Sequence, residues 1–259
     1  RTWSAKYIPR LQLLGEIFLN ALERRQSRLQ LEERVKFDTL LTDISARFVN
    51  VPAERIENEI VNSQRRICEL LELERSSLWQ VSEQEPGTLL LTHIHQSPGS
   101  LPPPERMNGS DFFPWTVQQV LAGKTVIISK MSELPPEADS DRESYAKFGA
   151  KSNVTIPLST GEGPVFGALT FAVLREERSW SDTVMKGFKI IAQMFANVLA
   201  RQRAEKVLKK HLNEIEALKQ RLETENIYLR EEVKLLGEHS DIVGQSAAMK
   251  KVLTNAEQV

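Results

Sequence analysis

Apolar residues recur every three or four positions through the two ends of the chain and alternate with polar ones across its middle. Phe37, Leu40, Leu41, Ile44 and Phe48 form one helical stripe. That spacing continues a helix which reaches back through Leu29 and Leu22 to the start of the chain. Asn50-Val51-Pro52 breaks it, because the residue before a proline is pushed out of the helical region. A second helix is expected from 53 to about 73, with Ile56, Ile60, Val61, Ile67, Leu70 and Leu71 on one side. The period then falls to two: SSLWQVSEQ and LLLTHIHQ, either side of EQEPGT, read as paired antiparallel strands. SPGSLPPPERMNGSD carries four prolines and reads as an irregular loop. A helix over 112–122 ends at Gly123, a short strand covers 125–128, and a helix over 139–148 ends at Gly149. SNVTIPLST and PVFGALTFAVL are two more strands joined across Gly161-Glu162-Gly163. The last helix runs from 181 to about 236, interrupted by no proline and only by Gly187. This succession predicts an α+β fold, an antiparallel five-stranded sheet flanked by helices.

The chain repeats itself. RTWSAKYIPRLQLLGEIFLNALERRQ at the start matches RSWSDTVMKGFKIIAQMFANVLARQR, displaced by 177 residues. Trp3/Trp180, Ser4/Ser181, Phe18/Phe195, Asn20/Asn197 and Leu22/Leu199 are identical, and the serines stand where an N-cap belongs. Identities outside the apolar stripe argue against two unrelated amphipathic helices. Residues 1–25 therefore read as the last helix of an upstream domain of the same kind. Residues 26–37 are then a connecting helix, and one complete domain spans 38–203. Both termini fall inside helical patterns, so the sequence reads as part of a longer polypeptide.

Past Arg203 the last helix becomes charged and carries leucines at heptad spacing. Leu208, Ile215, Leu222, Leu229 and Leu236 fill one core row; Leu212, Lys219, Asn226 and Val233 fill the other. Residues 204–236 are accordingly expected to form a parallel dimeric coiled coil, the 208–236 stretch about 42 Å long. Asn226 favours an in-register pair, because its amide is best satisfied by its twin. Lys219 weakens the seam. A solvated single helix is the alternative, and it leaves the leucine row uncovered.

Composition narrows the function. The net charge is −1, so no overall basic character argues for nucleic acid. Hydrophobic residues at 41% and charged residues at 27% are those of a soluble globular protein, and no apolar run is long enough to span a membrane. The one cysteine, Cys68, excludes an internal disulfide and fits the cytoplasm. His93 and His95 share a strand face, but no third ligand is placed with them, so no metal site is expected. Gly161-Glu162-Gly163 lies between strands, where a hairpin turn is favoured over phosphate binding. No nucleophile–base constellation or paired carboxylate points to catalysis.

Two families are then resembled. PWTVQQVLAGKTVIISKMSELPPEADSDRESYAKFGAKSNVTIPLSTGEGPVFGALTF, with SARFVNVPAERIENEIVNSQRRICELLELERSSLWQ before it, resembles a GAF domain over residues 38 to 203. That resemblance implies a small-molecule sensor and dimerisation module, its ligand held between the sheet and the two short helices. Carried over by position, Phe112, Phe113, Trp115, Tyr145 and Phe148 supply apolar walls. Thr116, Arg142, Lys151, Ser152 and Asn153 are the polar groups placed to orient a ligand. The alternative is a vestigial pocket and a purely structural dimeriser.

RLETENIYLREEVKLLGEHSDIVGQSAAMKKVLTNAEQV resembles the junction into the AAA+ domain of bacterial sigma-54-dependent transcriptional activators. By that resemblance residues 237–259 begin the ATPase, and Ile242, Val243 and Gly244 line its adenine pocket. No G-x-x-x-x-G-K-[ST] occurs, so this stretch is not expected to bind ATP without the rest of that domain. The implied partners are a second copy of the chain, an unknown effector and, through regions beyond this sequence, sigma-54 RNA polymerase and DNA. A GAF sensor of a histidine kinase is the alternative setting.

Overall fold

A computed structural model describes residues 8–85, 87–240 and 247–256. The chain divides into two units, Arg1–Gln202 and Arg203–Val259.

In the first unit, α1 (Ile8–Val49) and α2 (Ile56–Leu71) precede β1 (Arg75–Val81), β2 (Thr88–Gln96) and β3 (Arg106–Asn108). Two short helices follow, α3 (Gly109–Phe112) and α4 (Pro114–Leu121), then β4 (Val126–Ile128) and α5 (Asp139–Lys147). β5 (Ser152–Leu158) and β6 (Gly167–Val173) complete the sheet, and α6 (Asp182–Ser240) leaves it. The strands lie in the order β3-β2-β1-β6-β5-β4, and every adjacent pair is antiparallel.

The sheet thus has six strands, not five. The extra one, β3, lies at the end of the proline-rich segment read as a loop. Its three residues, Arg106–Asn108, pair with Thr88–Leu90 on the outer edge of β2. A partner edge supplies what the local sequence does not advertise. The expected helix over 112–122 is likewise two pieces. Phe113, held outside the helical region at φ −137° and ψ 56°, separates them just before Pro114. The remaining helices and strands of this unit fall where the periodicity puts them, within a few residues.

Strand alternation divides the sheet into two faces with separate cores. Leu78, Val154, Ile156, Leu158, Leu169, Phe171 and Val173 face α1, α2 and α6. Phe37, Leu40, Ile44 and Phe48 of α1 meet Phe188, Ile191, Phe195 and Leu199 of α6 there. Phe188 stacks on Phe171 with ring centroids 3.9 Å apart and planes 12° off parallel. Phe195 meets Phe48 at 5.4 Å. Each such side chain contributes about 1.5–3 kcal/mol on burial, so the start of α6 is as much a part of the domain as its strands. Val61, expected on the apolar side of α2, is exposed.

The opposite face carries a smaller core of Val120, Val126, Ile128, Leu134, Ala138, Tyr145 and Ala150 under α4 and α5. Ser181 caps α6, its hydroxyl accepting from the Val184 amide at 3.3 Å. Its counterpart Ser4 lies outside the described residues.

The second unit contains the rest of α6 and α7 (Ala247–Ala256). Leu208, Leu212, Ile215, Leu222, Leu229 and Val233 are all exposed on this single chain. The side chain of Leu236, and the whole of Ile242, Val243 and Gly244, lie outside what is described. Among the described residues no helix is long and apolar enough to cross a membrane.

Candidate functional site

Between the sheet and the short helices lies a cavity of about 120 Å³. Its floor is the set of alternate positions that point away from the long helices: Arg75, Ser77 and Trp79 of β1, Asn153 and Thr155 of β5, Ala168, Thr170 and Ala172 of β6. Small side chains on β6 keep the floor low. The walls come from Leu89, Pro103 and Met107 on one side and Phe113, Thr116, Val120, Tyr145 and Phe148 on the other.

Of the ten residues that the sequence nominates, five line this space: Phe113, Thr116, Tyr145, Phe148 and Asn153. The other five do not. Phe112 packs behind Phe148, with centroids 6.2 Å apart. Trp115 belongs to the small core. Arg142 donates to the carbonyls of Met131 (3.3 Å) and Leu134 (2.8 Å) and pairs with Asp139. Lys151 is exposed. Ser152 turns to the other face, donating to the Ser129 carbonyl at 2.7 Å and accepting from the Arg178 amide at 2.7 Å. The split between Ser152 and Asn153 follows from the strand period of two.

A polar network braces the walls. Asp141 is fully buried and accepts from the Trp115 and Thr116 amides at 3.1 and 2.8 Å. It therefore caps α4 from a distance, where Phe113 supplies no capping side chain. Thr116 Oγ1 lies 3.2 Å from the Tyr145 hydroxyl, and Asn153 Nδ2 donates to that hydroxyl at 3.4 Å and to Thr155 Oγ1 at 2.8 Å. Burial pushes the Tyr145 phenol up to about 12, so it stays protonated and able to donate. On the far side Trp79 Nε1 donates to Ser77 Oγ at 3.3 Å, which in turn lies 2.5 Å from Thr170 Oγ1.

Arg75, Ser77, Trp79, Thr155 and Thr170 were not nominated from the sequence. Polar residues of a half-buried strand read as solvent-facing; only the α4–α5 layer makes that face an interior. One signal was available: every second residue from 77 to 81 is Ser77, Trp79 and Val81, where an exposed face usually carries charge.

His93 and His95 lie on the opposite side of the sheet from this cavity. His93 Nε2 stands 2.5 Å from Glu57 of α2, and His95 feels Glu69 and Arg65 of the same helix. Among the described residues no cluster of three His, Cys, Asp or Glu side chains is placed to hold a metal. Cys68 is also on the long-helix side, in the large core.

The GAF domain sequence model matches residues 62–199, more than half of the chain. The chain belongs to the GAF domain family. Solved GAF folds agree with that assignment. A phycocyanobilin-bound GAF domain from a cyanobacterial phytochrome superposes with a TM-score of 0.55 at 18% identity, covering 65% of this chain and 96% of that one. The GAF domain of a phosphoenolpyruvate-protein phosphotransferase from Coxiella burnetii gives 0.53 at 16%, covering 67% and 98%. Free methionine-R-sulfoxide reductase from Neisseria meningitidis, in complex with its substrate, gives 0.51 at 14%, covering 66% and 93%. No curated protein matches the chain. At these identities the likeness is one of fold. The ligand has to be argued from the cavity of this GAF domain itself.

Proposed function

We propose that this chain is the signal-sensing region of a sigma-54-dependent transcriptional activator. Its GAF domain binds a small effector and, through a dimeric coiled coil, controls the assembly of an AAA+ ATPase. The chain itself is not catalytic. The observation that carries this reading is the double membership of α6. Its first five turns belong to the sensor core, and the same unbroken helix continues as a charged rod with an uncovered leucine row. A change in the cavity that moves β5 or β6 is therefore passed directly to a helix that can report it.

Three further features support it. Leu208, Ile215, Leu222, Leu229 and Leu236 recur every seven residues, and Asn226 and Val233 of the second row complete the seam with a single amide in it, the pattern of a register-specified parallel pair. Phe195 and Leu199 are buried, whereas Phe18 and Leu22, their counterparts in the repeat, are 65% and 62% exposed. The apolar face that the repeat buries in α6 is thus uncovered at Phe18 and Leu22. The Asp241–Lys251 sequence resembles the entry to the activator ATPase, with Ile242, Val243 and Gly244 at the adenine, so ATP belongs to the longer protein.

Two measurements test the reading. Inserting four residues after Arg203 in the full-length protein rotates the rod by more than a turn relative to the sensor. Effector-controlled transcription should be lost or become constitutive; unchanged regulation would sink the mechanism. Sedimentation of the Leu222→Lys/Leu229→Lys chain should show a monomer where the parent is a dimer. An unchanged dimer would remove the seam.

A further inference from the structure

The cavity holds one full charge that no carboxylate among the described residues answers. Arg75 begins β1, is 5% exposed, and lines the cavity. Two of its five N–H donors are engaged, both by neutral carbonyls: Leu101 at 2.5 Å and Phe148 at 3.3 Å. Its Nε has no partner and no solvent contact. Among the described residues only two carboxylates are buried, Glu74 and Asp141. Both are committed elsewhere. Glu74 accepts from the Leu174 amide and pairs with Arg175. Asp141 caps α4. A guanidinium cannot neutralise itself, so an unpaired one in an apolar site is expensive to bury.

We infer that this GAF cavity takes a small monocarboxylate, its anionic end on Arg75 and its apolar part against Trp79, Met107, Phe113 and Phe148. The inference rests on the ligand-sensing reading above and gives it a chemical class. A carboxylate matches the planar fork of a guanidinium with two parallel hydrogen bonds. Ser77 and Thr170 offer hydroxyls on the same floor. The size is set by the 120 Å³ of space, about that of a cavity that holds one benzene ring. A tetrapyrrole such as the phytochrome neighbour carries is far larger than this. Lys151 and Arg142, nominated from sequence as anion groups, do not line the cavity; Arg75 takes that role. Its contacts also explain how binding is reported. The same guanidinium holds the carbonyl that ends α5 and the carbonyl that begins the Pro102-Pro103-Pro104 segment, so a ligand that draws Arg75 inward pulls on both.

The test uses the whole chain with propionate and benzoate as probes, and propionamide and benzamide as uncharged isosteres. Binding is followed by thermal shift and by the Nε–H resonance of Arg75. Saturable binding of a carboxylate, with that resonance displaced and the matching amide at least about tenfold weaker, is the expected result. Arg75→Lys keeps the charge but loses the fork, and should weaken the carboxylate more than the matching amide. Should the amides bind as well as the acids and leave the Nε–H unmoved, the carboxylate assignment is overturned and ligand sensing survives. If none of the four probes binds and a broader set of neutral compounds also fails, both readings fall.

Discussion

Gly187 shows how a single hydrogen atom in place of a side chain sets the distance between two helices. A Cβ there would sit 2.1 Å from Cε1 of Phe37, in the middle of the α1–α6 contact. Gly187→Ala should therefore cost about 1–3 kcal/mol, read as a lowered unfolding midpoint, and Phe37→Leu should recover part of it. Gly167 is stricter, because its Cβ would meet the backbone carbonyl of Trp79 at 2.3 Å, which has no rotamer to yield. Cys68 makes a different prediction. Its thiol is buried and pushed up to about 12 by that burial, with Glu74 and Glu69 adding to the shift. Iodoacetamide should leave the native protein unmodified and label it once denaturant unfolds it; fast native labelling would place Cys68 at the surface. Cys68 packs as a small buried hydrophobe of the large core. The sequence alone could not distinguish Ser152 from Asn153, because which of two adjacent strand residues faces a ligand depends on what covers each face.

At the scale of elements, α2 and β2 carry the pH dependence. Burial pulls the His93 imidazole below its ordinary value, and Glu57 offsets this only partly. His95 moves the same way for the same reason. With the folded value below the unfolded one near 6.5, the neutral form is the folded form. Stability is full above about 6.5 and is lost as pH falls through and below it. Unfolding midpoints from pH 8 to 5 should fall, and His93→Asn should flatten part of that slope. An unchanged slope in the variant would assign the effect to other groups. The end of α2 holds a second opportunity. Glu72 sits in the left-handed region at φ 52°, so Glu72→Gly should stabilise by roughly 1 kcal/mol in denaturant titration. Most elements were legible because their signals are local: period, prolines and closing glycines. β3 was not, since three residues acquire strand geometry only from a neighbouring edge. The break at Phe113 was half legible, through Pro114.

Over the whole molecule, the buried core and the uncovered leucine row occupy different stretches of chain. Every buried apolar residue among those described lies between Phe37 and Leu199. A chain ending at Arg203 should keep its unfolding midpoint within a few degrees and sediment as a monomer at concentrations where the longer chain pairs. A large loss of stability would mean that the rod contributes to the fold. The α+β class and GAF membership could be read from the sequence because many weak local signals agree along the chain. Only half of the nominated cavity residues line it, because that required knowing which polar strand positions are roofed.

On β1, β5 and β6 the residues that meet the cavity and those that grip α1 and α6 alternate along the same backbone. Asn153 and Ser152 are one peptide bond apart and answer to different demands. A lineage can therefore change what the cavity accepts by replacing every second residue, and leave intact the positions that pack against the outgoing helix. Two such proteins could share a common output while their inputs diverge beyond recognition. Exchanging only the cavity-facing positions between two GAF sensors should carry the effector preference across and leave the response behind.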